Sequence, residues 1–353
     1  MGTSLKMKKS DFVKRLSGIF MATVIIFAAV PTEGAAAQSR KLVLMGNSVG
    51  ISIQSDGVIV VGTANIEAGG KTISPSGDAG ITVGDIITRI GNSNITNRLD
   101  LEKAIEKMDG MPTPVHLLRG GRKLQMMVTP YKTAEGTYEL GLRLRDGMSG
   151  VGTLTFYDPQ TGLFGALGHS INDVETGCVV PLKEGCIMRA TITEVIPGQS
   201  GTPGQLIGSF NRSDNFGSLT KNTSCGIFGI IKETDMTSAE ALPVAAGKEI
   251  KTGGAVILSN VQGDAVEEYN IEITRIYEGA EARDRNMMIK VTDPRLLERT
   301  GGIVQGMSGS PIIQNGKLLG AVTHVFVNEP NKGYAISIEK MLKAAESTET
   351  LAA

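Results

Sequence analysis

Tryptophan is absent from this 353-residue sequence, aromatic residues make up only 4% of it, and it has three histidines and three cysteines. It also lacks an excess of either charge, because 35 Lys and Arg face 36 Asp and Glu, and this balance excludes the basic footprint of a nucleic-acid-binding protein. The cysteines form no C-x-x-C pair and histidine is scarce, so we expect no metal site, and nothing in the sequence indicates a cofactor. We interpret Cys178, Cys186 and Cys225 as small buried hydrophobic residues, and a Cys178–Cys186 bridge stays open.

Glycine, in contrast, is abundant, with 45 residues. Many glycines combined with few aromatic residues favour short strands joined by tight turns over a helical bundle. The length leaves room for about two domains. The sequence therefore predicts a mostly β protein.

The N-terminus has the order of a secretory signal. Basic residues within positions 6–15 precede an apolar run at 19–30, and small residues follow at 35–37. This run is short for a membrane span, which needs about 20 residues, although an uncleaved membrane anchor stays open. We assign residues 1–40 to a signal peptide or membrane anchor and predict that the chain is exported.

Residues 41–131 are predicted to form a small α+β domain. Residues 43–53 are predicted to form a glycine-interrupted loop that runs into a strand, residues 57–62 form the next strand, and a final strand pair meets at Gly120 and Gly121. Leu101, Ala104 and Met108 have helical spacing, with Thr96 or Asn97 as the N-cap.

The order of these elements resembles a PDZ domain of the kind attached to bacterial proteases. PDZ domains bind an extended peptide as an added strand and hold its terminal carboxylate on backbone N–H groups. The resemblance implies that the helix at 101–105 walls the groove and that a glycine-containing loop holds the peptide end. The loop residues are Val49, Gly50, Ile51 and Ser52. A small α+β domain that only packs against its neighbour is the alternative.

Residues 132–353 are predicted to form a second, catalytic domain of many short strands. Apolar and polar residues alternate at 140–144, and further short strands recur up to residue 273. Such strands suggest one or two β-barrels rather than βαβ units. Ile338, Met341 and Ala345 keep helical spacing, so one helix should close the chain.

The stretch at 301–327 contains the strongest chemical signal. It holds two apolar runs separated by Asn315-Gly316, which predicts a β-hairpin. Ahead of the hairpin, Ser308 lies between glycines in the segment 306–310. Glycine allows a sharp turn and a close approach, which suits an exposed serine nucleophile. A simple turn between two strands is the alternative.

Of the three histidines, His169 is the candidate general base. It lies in a small, glycine-rich apolar segment at 164–171, which would deliver an imidazole to a loop. His116 is interpreted as a structural or surface residue, and His324 as packing within the second hairpin strand. A serine loop later in the chain favours His169 as the base.

An acid would orient that imidazole, and Asp293 is the first candidate because it ends an apolar strand where a carboxylate can be fixed. Asp173 ranks second because it follows His169 by only four residues. Asp235 and Asp264 lie in polar contexts and rank lower. The candidate catalytic residues are thus His169, Asp293 and Ser308.

The order His, Asp, Ser is that of chymotrypsin-like double β-barrels. The G-x-S-G-S-P loop resembles the nucleophile loop of that clan. This resemblance implies that the N–H groups of Gly306 and Ser308 form the oxyanion hole.

Three segments together, at 164–169, 292–297 and 301–328, resemble the SpoIVB family of serine peptidases, which signal during sporulation. The resemblance implies a chymotrypsin-type fold with His169 as base, Asp293 as orienting acid and Ser308 as nucleophile. It also implies self-cleavage, for which residues 38–44 are a plausible region.

The same resemblance implies where the enzyme acts and on what. The chain would cross the forespore membrane into the intermembrane space and be anchored there before processing. It would then cut a membrane-bound regulatory protein so that an intramembrane protease activates a late sigma factor.

Two other functions stay open at this stage. One is a non-catalytic PDZ adaptor whose peptidase-like domain is only a scaffold. The other is a cysteine hydrolase that uses Cys178 near His169.

Overall fold

A computed structural model describes residues 40–231, 241–277, 279–282 and 285–347 of the chain. From Lys41 onward the chain forms one compact unit. The predicted signal or anchor lies outside the described residues, apart from Arg40. Within the described ranges, every helix is too short or too polar to cross a membrane.

The described residues form mainly β-strands, with four α-helices and two short 3-10 helices at Gly247–Glu249 and Gly279–Ala282. The strands of the N-terminal half are β1 (Lys41–Leu44), β2 (Ser48–Thr63), β3 (Ile66–Ala68), β4 (Lys71–Ile73), β5 (Ile86–Ile90), β6 (Ser93–Asn94), β7 (Thr113–Arg119), β8 (Arg122–Val128), β9 (Tyr131–Lys132), β10 (Tyr138–Glu139), β11 (Leu142–Tyr157) and β12 (Leu163–Ala166). Those of the C-terminal half are β13 (Glu184–Ile196), β14 (Gln205–Thr223), β15 (Gly226–Ile231), β16 (Ala241–Pro243), β17 (Gly253–Gln262), β18 (Ala265–Ile276), β19 (Met287–Val291), β20 (Pro311–Gln314), β21 (Lys317–Phe326) and β22 (Glu329–Ser337). The helices are α1 (Pro75–Asp78), α2 (Arg98–Glu106), α3 (Pro294–Thr300) and α4 (Ile338–Glu346).

A first barrel is built from six antiparallel strands that pair in a closed circuit. The order around the circuit is β2, β11, β12, β15, β14 and β13, and β13 pairs back onto β2. Its interior is aliphatic and aromatic, with Leu154, Phe164 and Ile187 fully buried. Burying such side chains contributes roughly 1.5–3 kcal/mol each, so the alternating apolar residues drive closure.

A second barrel closes in the order β17, β18, β19, β22, β21, β20. Ile257, Ile273 and Ile289 are completely buried in its core. The hairpin of β20 and β21 turns at Asn315 and Gly316, whose φ angles are +52° and +71°. The Asn-Gly prediction is thus confirmed, because both positions of such a turn need positive φ.

An α+β subdomain lies between the first two barrel strands in the chain. The distal half of β2 pairs with β5, which pairs with β7, and β7 pairs with β8. Helix α2 packs Leu101 and Ala104 into a separate core. The Asn97 side chain accepts a hydrogen bond from the Asp100 N–H and caps the helix as predicted.

The mostly β fold with barrels is therefore confirmed, but the predicted boundary between residues 131 and 132 does not separate two sheets. Strand β2 pairs with both β11 and β13 of the first barrel while it also carries the subdomain strand β5. The subdomain is thus an insertion between barrel strands rather than a module that precedes the barrels.

The same pairing corrects the predicted peptide groove at Val49, Gly50, Ile51 and Ser52. Each of these residues is matched by a residue of β11 on one side and by a residue of β13 on the other. A peptide can extend a sheet only where a strand edge is free. The loop predicted to hold a peptide is an interior barrel strand.

Candidate active site

A cleft of about 500 Å³ runs between residues of the two barrels and contains both Ser308 and His169 in its wall. The first barrel contributes residues of β2, β11 and the loop after β12, and the second contributes the serine loop and β21. The structure thus brings together two of the three predicted catalytic residues, which are far apart in the chain.

The serine loop at 306–310 depends on two glycines with left-handed backbone. Gly306 has φ +101° and Gly309 has φ +100°. A Cβ added to Gly309 would lie 2.0 Å from the carbonyl oxygen of Thr153 and 2.6 Å from the amide nitrogen of Leu167. The loop therefore packs backbone against backbone on the first barrel, which only glycine permits.

Two threonines of β11 anchor this loop, and neither was among the residues predicted for the site. The Thr153 N–H donates to the Ser308 carbonyl at 3.0 Å, and its Oγ1 donates to the Gly306 carbonyl at 2.7 Å. The Thr155 Oγ1 donates to the Gly309 carbonyl at 2.7 Å. The Thr-Leu-Thr alternation was the available signal, since it places both hydroxyls on one face of a strand.

The backbone N–H groups of Gly306 and Ser308 line the region expected for an oxyanion hole. Neither makes a hydrogen bond to another group within the described part of the chain. The neighbouring N–H groups of Met307 and Gly309 are engaged, by the carbonyls of Val304 and Val322. Two unengaged donors beside a serine are the arrangement that stabilises a developing oxyanion.

His169 is presented to the cleft by an unusual backbone turn after β12. Leu167 has φ +67° and Gly168 has φ +72°, so the chain reverses just before the imidazole. A Cβ on Gly168 would lie 2.9 Å from Thr323 Cγ2 and 3.0 Å from Ile336 Cγ2 of the second barrel. A non-glycine residue with positive φ stores strain, and such strain is often found at functional sites.

The ring of His169 is oriented by a backbone carbonyl. Its Nδ1 lies 2.8 Å from the Ser170 carbonyl oxygen, so in the neutral tautomer Nδ1–H donates and Nε2 keeps its lone pair. Burial lowers the pKa of His169 below its ordinary value, although the hydrogen bond to Ser170 opposes this. The imidazole is therefore neutral at pH 7 and able to accept a proton.

A second imidazole, that of His324, lines the same cleft, although His324 was predicted only to pack within its strand. The ring centroids of His169 and His324 are 4.9 Å apart, at an interplanar angle of 40°. Within the described part of the chain, the buried Nδ1 of His324 has no hydrogen-bond partner. Burial, with smaller effects of His169 and Arg285, lowers the pKa of His324 to about 4, so this ring is neutral at pH 7.

The hydroxyl of Ser308 is hydrogen-bonded to a strand of the second barrel. Its Oγ donates a hydrogen bond of 2.6 Å to the carbonyl oxygen of Thr323. This carbonyl belongs to the residue before His324, so the serine and both histidines meet around one strand segment. Proton transfer to His169 requires the Ser308 side chain to rotate away from Thr323.

Asp293, the predicted orienting acid, bonds groups other than His169, and within the described residues no hydrogen bond joins the two side chains. Asp293 is the N-cap of α3, where its Oδ1 accepts from the Arg295 N–H at 3.0 Å and its Oδ2 from the Asn270 N–H at 3.1 Å. The Arg295 guanidinium also contacts both oxygens. Hydrogen bonds from Arg295 are the main reason that the pKa of Asp293 falls to about 2.

The second-ranked acid, Asp173, is also engaged elsewhere. It is fully buried and pairs with Arg145 at 2.6 Å, and it accepts the N–H groups of Glu175 and Thr176. Burial raises its pKa, but these hydrogen bonds and Arg145 outweigh that effect, so the net shift is downward. Asp173 shapes the loop after His169 but does not contact the imidazole.

The remaining candidates do not join the cleft. Asp235 lies outside the described residues, and Asp264 occupies the turn between β17 and β18. Cys178, the rival nucleophile, is exposed rather than buried as expected, and it is absent from the cleft wall. Cys178 and Cys186 do not form a bridge.

Comparison with known proteins gives one extensive match. The family described as SpoIVB peptidase S55 matches residues 136–342, which is more than half of the chain. No curated protein sequence matches.

Similar solved structures are distant. The active form of the Rv3671c protease from M. tuberculosis is 16% identical, over 57% of this chain and 77% of that one, with a TM-score of 0.32. The HtrA-type protease AlgW with a tripeptide is 14% identical, over 55% of this chain and 54% of that one, with a TM-score of 0.34. The assignment of this chain to a family depends on the family match and not on these structures.

Proposed function

This chain belongs to the SpoIVB peptidase S55 family and is a serine endopeptidase, and from that premise we propose that Ser308 is its nucleophile and His169 its general base. The supporting observation is that the two residues, from different barrels, line one cleft beside two unengaged backbone N–H groups. A histidine near an exposed, glycine-framed serine is the pairing that acyl transfer requires.

The reaction would begin with rotation of the Ser308 hydroxyl from the Thr323 carbonyl towards His169 Nε2. Ser308 Oγ then attacks the peptide carbonyl carbon while Nε2 takes its proton. The N–H groups of Gly306 and Ser308 receive the developing oxyanion. The protonated imidazole returns its proton to the leaving amine, which yields an acyl-enzyme and a free amino terminus.

Water would complete the cycle at the same imidazole. His169 removes a proton from water, which attacks the acyl-enzyme, and the proton returns to Ser308 as the carboxyl product leaves. During both steps the Ser170 carbonyl accepts Nδ1–H and holds the ring. His324 remains neutral at pH 7, so it does not repel the imidazolium that forms.

We further propose the biological role that the family assignment suggests. The enzyme would be exported, self-cleave, and cut a membrane-bound regulatory protein so that intramembrane processing of a late sporulation sigma factor follows. The signal-like N-terminal sequence supports export. The α+β subdomain, predicted as a PDZ domain, is the candidate site for binding peptide termini, although not through Val49–Ser52.

Self-cleavage would fall on the N-terminal side of β1. Leu42, Val43 and Leu44 are buried, and β1 pairs with β11 on one side and β16 on the other. A peptidase cuts extended, accessible chain, so cleavage within these residues would first require β1 to leave the sheet. The predicted region of 38–44 therefore narrows to its first residues, of which 38 and 39 lie outside the described residues.

The test is hydrolysis by the purified chain, with Ser308→Ala compared with Ser200→Ala. The Ser200 hydroxyl also donates to a carbonyl, that of Asn328, but it lies on an exposed turn outside the cleft. We expect Ser308→Ala to lose at least about 1000-fold in kcat and Ser200→Ala to match the wild type. Equal self-processing in Ser308→Ala would instead favour the non-catalytic adaptor.

A further inference from the structure

Uncharged side chains line the cleft that holds Ser308. Within the described residues, its lining includes no Asp, Glu, Lys or Arg. The side chains that flank Ser308 and His169 are mostly aliphatic, from both barrels. Examples are Ile53, Met148, Ile171, Val304 and Val325.

The charged residues Arg145 and Asp173 of the adjoining elements are paired with each other instead of reaching into the cleft. Arg285, whose charge adds to the effect of burial in lowering the pKa of His324, lies over the Tyr334 ring and is not part of the cleft wall. Arg145 lies on β11, which contributes Met148 to the wall, but its guanidinium bonds Asp173 and Glu175. Asp173 in turn follows Asn172, another wall residue, and its carboxylate is fully buried against Arg145. Among the described residues, the cleft wall therefore offers no counter-charge for a charged substrate side chain.

The apolar character continues to the mouth of the cleft. Val174 is 85% exposed and Val327 is 48% exposed, and both belong to the cleft lining. Exposed apolar residues that adjoin a lined cleft mark a binding surface rather than ordinary surface scatter. Substrate side chains entering here would cover them.

We infer that this peptidase cleaves after uncharged aliphatic residues and excludes Lys, Arg, Asp and Glu at that position. The inference concerns the substrate class of the proposed active site, and so it rests on the proposed function. An aliphatic side chain gains by leaving water in such a cleft. A charged side chain would lose its hydration without gaining a partner, which is a large penalty in binding.

Gln305 is the residue through which this selectivity can be changed. It lies next to Gly306, its side chain is exposed, and it lines the cleft. Its backbone is fixed, because its N–H donates to the Gly204 carbonyl and its own carbonyl accepts the Leu206 N–H. Gln305→Glu keeps this shape and adds one negative charge to the cleft.

The experiment uses the complete chain and fluorogenic peptides that differ only in the residue whose carbonyl is attacked. For the wild type we expect kcat/KM with Leu, Met or Val there to exceed that with Lys, Arg, Asp or Glu by about 100-fold or more. Gln305→Glu should raise the Lys-to-Leu ratio of kcat/KM about tenfold, because a carboxylate attracts the ammonium. Gln262→Glu, at the exposed end of β17 and outside the cleft lining, should leave the ratio unchanged.

Two outcomes would overturn the inference alone. The first is wild-type cleavage after charged residues as efficient as after aliphatic ones. The second is an unchanged ratio in Gln305→Glu, or the same change in Gln262→Glu. In both cases active-site titration with a fluorophosphonate would still show a working serine, so the proposed function would stand. If no peptide were cut and no serine titrated, the proposed function would fail together with the inference.

Discussion

At the scale of single residues, the described part of the site orients His169 through a backbone carbonyl and not through a carboxylate. The Ser170 carbonyl occupies the position at Nδ1 that an aspartate fills in a Ser-His-Asp triad. A carbonyl orients the ring and fixes the tautomer, but it contributes less stabilisation to an imidazolium than a full negative charge does. The pH dependence should therefore report a histidine with no anionic partner.

The first prediction concerns that pH dependence. His169 must be neutral to take a proton, and burial lowers its pKa below the ordinary value of 6.5. We expect kcat/KM to rise with pH and to reach half its plateau below pH 6.5, measured with a peptide that has no ionisable groups. His116→Gln, on β7 outside the cleft lining, should leave the profile unchanged. A half-maximum above pH 7 would contradict the account, since it would indicate an anionic partner.

The second prediction concerns Asp293. In Asp293→Asn the ion pair with Arg295 is lost, and we expect unfolding free energy to fall by about 1–3 kcal/mol. The folded-state pKa of about 2 lies below the ordinary 3.8, so the contribution of Asp293 is present above pH 3.8 and is lost as pH falls towards 2. In denaturant titrations at different pH values, the unfolding free energy of the variant should not show this loss between pH 3.8 and about pH 2.

The activity of the same variant shows whether Asp293 only caps a helix or also orients His169. With Asp293 as a helix cap, kcat per folded molecule should stay within a few-fold of wild type. A stable Asp293→Asn protein whose kcat falls by about 10⁴-fold would show that the aspartate orients His169 after all.

At the scale of elements, β2 is the strand on which both the barrel and the subdomain depend. Its first half lies between β11 and β13, and its second half carries β5. Gly50 is in the first half, where the ring of Phe210 from β14 covers its Cα. The glycine that suggested a carboxylate-binding loop therefore makes room for an aromatic ring.

The third prediction tests this strand. A Cβ at Gly50 would lie 2.3 Å from Phe210 Cγ, so Gly50→Ala should lower the unfolding free energy by about 1–3 kcal/mol. Gly254→Ala on β17 is the control, because an added Cβ there meets no atom within 4 Å. Thermal or urea denaturation distinguishes the two. Equal stability of both variants would argue that Val49–Ser52 is not held inside a barrel.

Turns and helix caps, which depend on neighbouring residues, could be predicted from the sequence. Strand pairing between segments that are far apart in the sequence could not. Asn315-Gly316 and Asn97 act through their own backbone neighbours, and both predictions are confirmed. Asp293-Pro294 carried a local signal that was misread, since Asp before Pro is typical of a helix N-cap. The pairing of Gly50 with Val151 and Met188 has no local signal, because the partners are far away in the sequence.

At the scale of the whole molecule, the two barrels create the site and the inserted subdomain interrupts one of them. Glycines at 168 and 309 let the histidine loop contact the second barrel and the serine loop contact the first. The meeting of Ser308 and His169 therefore depends on both barrels being closed. Closure of the first barrel in turn depends on β2, which precedes the subdomain.

The fourth prediction follows for truncated chains. Residues 132–353, the predicted peptidase domain, lack β2 and would leave β11 and β13 with unpaired edges. We expect this fragment to show no cooperative unfolding and no peptide hydrolysis. Residues 41–353 should unfold cooperatively and should hydrolyse peptides. Circular dichroism melts and peptide assays provide the measurement. A cooperative, active 132–353 fragment would contradict the shared strand.

The most direct test of the central claim is to react the purified chain with a fluorophosphonate and locate the adduct by peptide mass spectrometry. The account predicts one modified residue, Ser308, and loss of the modification in His169→Ala, because the base is needed to activate the hydroxyl. Modification of another residue, or labelling of Ser308 that is equally fast without His169, would contradict it.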